Sequence, residues 1–339
     1  MYSISNRRYT GSKYKLLDWI EELVLEHCRG EVFLDVFAGT GVVSSRMRRH
    51  YRKVLVNDFL FSNEVIYQAF FGAGSFDESV LEAYRDRFRG LGKENLEENY
   101  VSENFGGRYF SENDARQIGA VREEIKRVEA LVTRREYYIL LASLLYSMDK
   151  VANTVGHYDA YRKNVTPEDR FCFELIAPER NTECFSIYRM DANALVRQVK
   201  ADVVFVDPPY NSRQYSRFYH VLENVAQWKK PKLEGTALKP GAENMSDYCR
   251  NKAPAVFADL IQNIDAGYIV VTYNNTYHSK SSSSKNKITL DEIADILSSR
   301  GRTEIFEKKH PCFNAGKTEF EGHKEYVFIT RVSAGHGKS

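Results

Sequence analysis

The sequence predicts an α/β protein built on an open, doubly wound parallel sheet, with a mainly helical segment inserted into it. Three observations predict this class. An apolar run in EVFLDVFAGTG (31–41) ends in a glycine-rich turn, the pattern of a buried parallel strand entering a loop. A second apolar run, KVLVND (53–58), ends on an acidic residue, so strand, glycine loop, helix, strand and acid follow in the order that begins a doubly wound fold. Strand rhythm then stops, and returns at ADVVFVDPPY (201–210), GYIVVTYNN (267–275) and KEYVFITRV (324–332).

The elements can be justified in order. Leu16, Leu17, Ile20, Leu23 and Val24 recur at helical spacing and predict a helix over 16–28. A second helix is expected over 42–50, directly behind the glycine loop. Residues 72–185 carry charged, helix-like stretches such as EEIKRVEALVTRREYYILLASLLYSMDK (123–150) and no parallel-strand rhythm. The expected organisation is a discontinuous sheet domain, 1–71 and 186–332, an inserted helical domain, 72–185, and a disordered tail, 333–339. YHSKSSSSKNK (277–287) reads as a flexible, basic, serine-rich loop.

Composition narrows the class. A chain of 339 residues can bury a substantial core without disulfide staples. Its 48 Lys+Arg against 46 Asp+Glu leave a formal charge of +2, which excludes a uniformly basic nucleic-acid binder and an acidic disordered chain. Local basic patches, not the total, set any encounter with phosphates. With 22 Tyr against 2 Trp, the aromatic content favours half-wet ring surfaces. Cys28, Cys172, Cys184, Cys249 and Cys312 are odd in number and form no C-x-x-C pair, so a reduced, cytoplasmic protein is expected. MYSISNRRYTGSKYKLL lacks the apolar core of a secretory signal, and no apolar run of about 18 residues predicts a membrane span. His157, His220, His278, His310, His323 and the cysteines show no metal-ligand spacing, so no metal is expected. His310-Pro311-Cys312 reads as a hairpin turn rather than a nucleophile site.

Two segments carry chemistry. In DVFAGTGVVS, Gly39 and Gly41 follow a strand, where backbone must turn sharply or approach a ligand closely. Asp58, at the end of the next strand, is placed to accept hydrogen bonds from ribose hydroxyls. A tight turn without a ligand would use the same glycines. The third glycine of a dinucleotide fingerprint is absent, which suits a nucleoside cofactor without phosphates. In VVFVDPPYNS, Asp207, Pro208, Pro209 and Tyr210 close an apolar strand at the edge where ligands gather in open α/β sheets. The prolines fix φ and remove two N–H donors, leaving carbonyls and the Asp207 carboxylate as acceptors in a rigid turn. Such acceptors suit an exocyclic amino group, whose lone pair is conjugated with its ring until both N–H hydrogens are held. Tyr210 can stack on a base, a contact worth roughly 1–3 kcal/mol. A Pro-Pro turn that only ends a strand is the alternative.

At these residues the sequence resembles the S-adenosylmethionine-dependent DNA adenine-N6 methyltransferases. RRYTGSKYKLL (7–17) resembles the family's N-terminal motif, FAGTG (37–41) its cofactor loop, and DPPY (207–210) its catalytic motif. RMDANAL (189–195) resembles the segment that meets the cofactor's adenine. The order is similar to the alpha arrangement, or D12 class, that includes the Dam-type enzymes, and DPPYNSRQY is similar to methyltransferases of the FokI type. The resemblance covers roughly 1–71 and 186–332. It implies a Rossmann-like methyltransferase sheet, with Asp207, Pro208, Pro209 and Tyr210 catalytic. It implies Tyr9, Lys13, Asp35, Phe37, Gly39, Gly41, Asp58, Asp191 and Asp207 at the cofactor. Tyr9 stands where Dam-type enzymes often have tryptophan. Lys13, in a short GSK turn, is expected to pair with the cofactor's carboxylate, the alternative being a solvated lysine.

A base inside a duplex cannot reach a sheet-edge turn, so the expected substrate is double-stranded DNA with its adenine flipped out. Tyr215, Phe218 and Tyr219 are expected either in the same cleft or in a helix core. Target reading is assigned to the insertion, where NTVGHYDAYRKN (153–164) offers Asn153, Tyr158, Arg162 and Lys163, with Arg213 and Tyr215 beyond the DPPY turn. An ordinary polar loop is the competing interpretation. RMRRHYRK (46–53) reads as a solvated helix face. A restriction-modification setting implies a cognate restriction endonuclease as partner. The alternatives are N4-cytosine methylation, disfavoured because Ser usually stands at the Asp207 position there, RNA adenine methylation, and a non-catalytic binding module.

Overall fold

The computed structural model describes residues 1–92, 95–276, 285–309 and 322–333. The stretch 277–284 of the serine-rich loop, the His310–Cys312 turn and the tail beyond 333 lie outside the described residues. The chain divides into two compact units, one of residues 11–59, 184–215 and 244–339, the other of 1–10, 60–183 and 216–243.

The first unit is the expected doubly wound α/β sheet. Its strands are β1 (Val32–Asp35), β2 (Lys53–Asn57), β3 (Phe185–Tyr188), β4 (Val203–Val206), β5 (Tyr268–Asn274), β6 (Gly301–Lys309) and β7 (Lys324–Val332). They run in the order β3-β2-β1-β4-β5-β7-β6. β1 to β5 are mutually parallel, and β7 lies antiparallel between β5 and β6. β1, β4 and β5 are buried on both faces, which is why they read as continuous apolar runs. β3 and β6 were not anticipated. Both are edge strands, β3 half-buried throughout and β6 alternating with charge, so neither carries the apolar signal.

One face of the sheet packs Leu34, Val204, Val206, Ile269 and Val271 against the helices Ala253–Asn263 and Leu290–Ser298 through Phe257, Leu260, Ile261, Ile293 and Leu297. The other face presents Phe33, which meets Tyr51 and Phe205. The helix Leu17–His27 follows a 3₁₀ turn, Lys13–Leu16, and touches β6 through the His27 ring on Phe306 at 4.8 Å. The helix Val42–Met47 is shorter than the expected 42–50. Arg46 pairs with Asp18 and Glu21, and His50 with Glu21, which makes this basic face a solvated ion-pair surface.

The second unit is helical: Phe61–Phe71, Glu78–Leu91, Tyr100–Phe105, Glu112–Val128, Arg134–Val151 and His220–Gln227. Asp77, Ser111 and Thr133 cap their helices through side-chain oxygens, as these residue types do at N-caps. Arg134–Val151 is buried around most of its girth and forms the centre. The expected boundary at residue 71 moves to 59, because Phe61–Phe71 packs on this centre, Phe70 meeting Tyr146 at 5.8 Å. Residues 216–243 also join this unit, since Glu223 accepts hydrogen bonds from the Ser62 N–H (2.6 Å) and Phe61 N–H (3.2 Å) at that helix's start. No described helix is long and apolar enough to cross a membrane.

Candidate active site

The site is built at the carboxyl edge of the parallel strands in the sheet unit. The strand register puts Asp35, Thr272 and Glu325 on one face, and Asp207 continues the alternation of β4 on that face. Asp207 Oδ1 accepts a hydrogen bond from the Thr272 hydroxyl at 2.7 Å and lies 2.8 Å from Lys13 Nζ. Among the described residues its Oδ2 accepts no hydrogen bond. Burial works against the Lys13 charge, but the neighbouring carboxylates, Asp207 first and then Glu325, together outweigh it and hold the ammonium above the ordinary lysine range. Burial also lifts the Asp207 carboxyl above its ordinary value, and Lys13 opposes that lift.

Lys13 reaches this place because Gly11 turns the chain with φ 83°, a left-handed conformation that favours glycine. A Cβ at Gly11 would stand 3.1 Å from the Tyr215 hydroxyl and 3.8 Å from the Tyr210 ring, so the turn, Tyr210 and Tyr215 are immediate neighbours. The Ser12 hydroxyl lies 3.5 Å from that of Thr40 in the glycine loop. The DPPY turn is fixed from β5 and from the segment before the Leu290–Ser298 helix: the Tyr210 carbonyl accepts from the Tyr273 hydroxyl at 3.4 Å and from the Lys287 N–H at 2.8 Å. The Tyr210 and Tyr273 rings meet edge to face at 6.2 Å.

The glycine loop leaves β1 with Gly39 at φ 53° and Gly41 at φ 77°, and the Gly39 N–H donates to Asp58 Oδ2 at 3.0 Å. Asp35 accepts from the Ser44 hydroxyl at 2.7 Å, while its other oxygen is buried without a hydrogen-bond partner among the described residues. Burial, with the Asp207 and Asp58 charges nearby, pushes its carboxyl up to about 7 despite Ser44. Phe37 meets Tyr248 edge to face at 5.0 Å. Asn57, which the sequence patterns did not single out, ties three segments together. It donates to the Val36 carbonyl (3.0 Å) and the Met190 carbonyl (3.2 Å) and accepts from the Met190 N–H (2.9 Å). Asp191, next along, is exposed and caps the short helix Ala192–Leu195 through the Ala194 N–H at 3.0 Å.

Residues 9–253 match the family described as D12 class N6 adenine-specific DNA methyltransferase. The chain belongs to this family. It is 36% identical over 290 residues to the modification methylase StsI of Streptococcus sanguinis, covering 79% of this chain and 44% of that one. It is 31% identical over 341 residues to the type II methyltransferase M.NlaIII of Neisseria lactamica, covering 95% of this chain and 98% of that one. It is also 31% identical over 319 residues to the type II methyltransferase M.FokI of Planomicrobium okeanokoites, covering 88% of this chain and 48% of that one. The chain thus spans less than half the length of StsI and of M.FokI and nearly all of M.NlaIII.

Within this D12 class chain, the other residues singled out from sequence fall in different places. Tyr9 belongs to the helical unit, where its ring stacks on Tyr219 at 4.6 Å with the Arg7 guanidinium over both rings. Phe218 and Tyr219 are core residues of that unit. Two of the expected DNA contacts are corrected. The Asn153 side chain is buried and donates to the carbonyls of Arg108 (2.9 Å) and Arg162 (3.1 Å). Tyr158 is fully buried, with its hydroxyl donating to Asp149 at 3.0 Å. Both side chains organise the segment from inside, because a polar group taken out of water must find an internal partner. Arg162 and Lys163 are exposed, and Arg213 and Tyr215 are half-buried. Among the described residues no group of His, Cys, Asp and Glu is placed to hold a metal ion.

Proposed function

We propose that this chain transfers a methyl group from S-adenosylmethionine to N6 of an adenine in double-stranded DNA, at a specific sequence and with the base flipped out of the duplex. What supports this, beyond membership of the D12 class, is the gathering in one unit of Asp207, Lys13, the glycine loop, Asp35 and Asp58.

The residues present fit the cofactor. A buried carboxylate oxygen without a partner, at Asp35, and a loop whose glycines take left-handed conformations suit a ligand that brings donors and needs close backbone approach. Asp35, Phe37, Gly39, Gly41 and Asp58 would hold it, with Asp191 at the far edge of the same loop system. S-adenosylmethionine when bound supplies a methyl group on a sulfonium, an electrophile that requires neither a metal nor a covalent enzyme intermediate.

The chain's own work is orientation. Asp207, through the oxygen not engaged by Lys13 and Thr272, together with the Pro208 carbonyl, accepts the two N–H hydrogens of the amino group. That draws the nitrogen lone pair out of conjugation and aims it at the methyl carbon. Tyr210 stacks on the flipped base. Positioning of this kind provides much of the rate, since well-oriented groups reach high effective concentrations. Arg162, Lys163, Arg213 and Tyr215 contact the DNA around the target. A cytoplasmic modification enzyme paired with a cognate restriction endonuclease is the setting in which such an activity protects host DNA.

The test is incorporation of tritiated methyl into mixed-sequence duplex DNA, followed by identification of the modified base and its flanking sequence. N6-methyladenine at one recurring motif is expected. Label in N4-methylcytosine, in RNA alone, or in nothing would overturn the proposal.

A further inference from the structure

Glu325 stands outside every motif of the sequence and beside the Lys13–Asp207 pair. β7 runs against the parallel strands, so its first residues lie at the edge where β4 ends. Glu325 is paired with Asn274, and Val327 with Thr272, which puts the Glu325 side chain on the sheet face of the Thr272 hydroxyl that holds Asp207. Glu325 is buried, and one of its oxygens lies 3.2 Å from His323 Nε2. Among the described residues the other has no hydrogen-bond partner. A buried carboxylate oxygen left without a partner costs stability. The fold nevertheless keeps one where its charge is felt by both Lys13 and Asp207.

We propose that Glu325 is a positioning residue for methyl transfer: its buried charge holds the Lys13 ammonium against Asp207 and leaves the three-residue cluster net negative. This rests on the proposed reaction. Two carboxylates against one ammonium leave one negative charge, whereas Lys13 and Asp207 alone would cancel. The balance matters because the reaction moves positive charge. The amino lone pair forms the N–C bond, the S–C bond breaks with its pair returning to sulfur, and the nitrogen becomes cationic until its proton passes to Asp207 and out to water. A net negative cluster beside the nitrogen favours that movement. Lys13 and Asp207 face Glu325's charge from neighbouring segments, Tyr210 acts on Lys13, and His323 lies beside Glu325 on its own segment.

The experiment compares Glu325→Gln and Glu325→Asp with the wild-type full chain on duplex DNA carrying the target motif. In Glu325→Gln, kcat falls about tenfold or more while KM for S-adenosylmethionine stays within about twofold. The acid limb of its kcat/KM profile moves to lower pH, because Glu325 raises the proton affinity of Asp207. Glu325→Asp keeps the charge, set back by one methylene, and shows most of the rate with a smaller displacement. A Gln profile that stays in place overturns the proposal whether or not the rate falls, since loss of packing lowers a profile without moving it. Should Glu325→Gln fail to fold, an Asp profile superimposed on the wild type overturns it equally. Wild-type chain that transfers no label to adenine refutes the methylation reading instead, so the two failures are distinct.

Discussion

Lys13 Nζ and Asp207 Oδ1 lie 2.8 Å apart, and the Thr272 hydroxyl donates to that same oxygen at 2.7 Å, so one carboxylate oxygen is doubly engaged while the other accepts no hydrogen bond among the described residues. Asp207→Ala should abolish methyl transfer, and Asp207→Asn, which keeps the shape, should lose at least about 10²-fold in kcat. Circular dichroism of both variants should match the wild type. Tritium incorporation undiminished in either variant would remove Asp207 from the reaction.

Lys13→Met leaves the Asp207 carboxylate buried without its counter-charge. Breaking a buried pair from one side costs about 3–5 kcal/mol, so denaturant midpoints should drop sharply at pH 8. The loss should shrink in acid. Burial already lifts the Asp207 carboxyl, and without Lys13 it rises further, so the folded variant takes up a proton before the unfolded chain does. Its stability relative to wild type therefore recovers as pH falls through the window between the folded value and the unfolded value of about 3.9. A deficit that is flat with pH would show that the pair is not what was broken.

Gly11 combines a left-handed φ of 83° with the closest approach to Tyr215. Gly11→Ala should cost about 1–2 kcal/mol from the backbone alone, with a further loss where the new methyl meets the Tyr215 hydroxyl at 3.1 Å. Tyr215→Phe removes that hydroxyl, so the double variant should regain the second part but not the first. A thermodynamic cycle on unfolding free energies separates the two. Strict additivity would mean that the methyl never reaches Tyr215.

The strands that form the site were legible because burial on both faces writes itself into consecutive apolar residues. Val203–Val206 before Asp207 and Val32–Asp35 before the glycine loop are of this kind. Phe185–Tyr188 and Gly301–Lys309 were not, because edge strands face solvent and need no such run. Lys13 was readable from its turn, but its partner was not: the expected partner was the cofactor, and the structure pairs it with Asp207, a contact between distant parts of the chain. Thr272, Asn57 and Glu325 enter through register and long-range hydrogen bonds, which leave no local pattern. Asn153 and Tyr158 show the converse, since a polar side chain's type does not say whether it points to DNA or to a neighbouring carbonyl.

Asp35 carries a cost that cofactor binding would offset. Its folded carboxyl sits at about 7, against about 3.9 unfolded. Between those values the folded protein holds a proton that the unfolded chain has lost, so stability falls as pH rises through the window. The difference is on the order of 4 kcal/mol at alkaline pH, for a side chain almost wholly buried. Asp35→Asn should therefore raise the melting temperature at pH 8, leave it nearly unchanged at pH 4, and weaken S-adenosylmethionine binding. A variant no more stable than wild type at pH 8 would show that Asp35 is ionised at no cost.

Arg162 and Lys163 are the exposed cations left on the segment whose Asn153 and Tyr158 turned inward. If they neutralise phosphates, each releases about one counterion on binding, and the slope of log K against log salt should fall by about 1 for each cation removed. Arg162→Ala and Lys163→Ala should weaken binding to cognate and non-cognate duplexes alike, because phosphate contacts carry no sequence information. kcat at saturating DNA should stay near wild type, since neither residue belongs to the unit that holds Asp207. Fluorescence anisotropy across a salt series is the measurement. A changed preference between motifs, with the slope intact, would instead make these side chains readers of base edges.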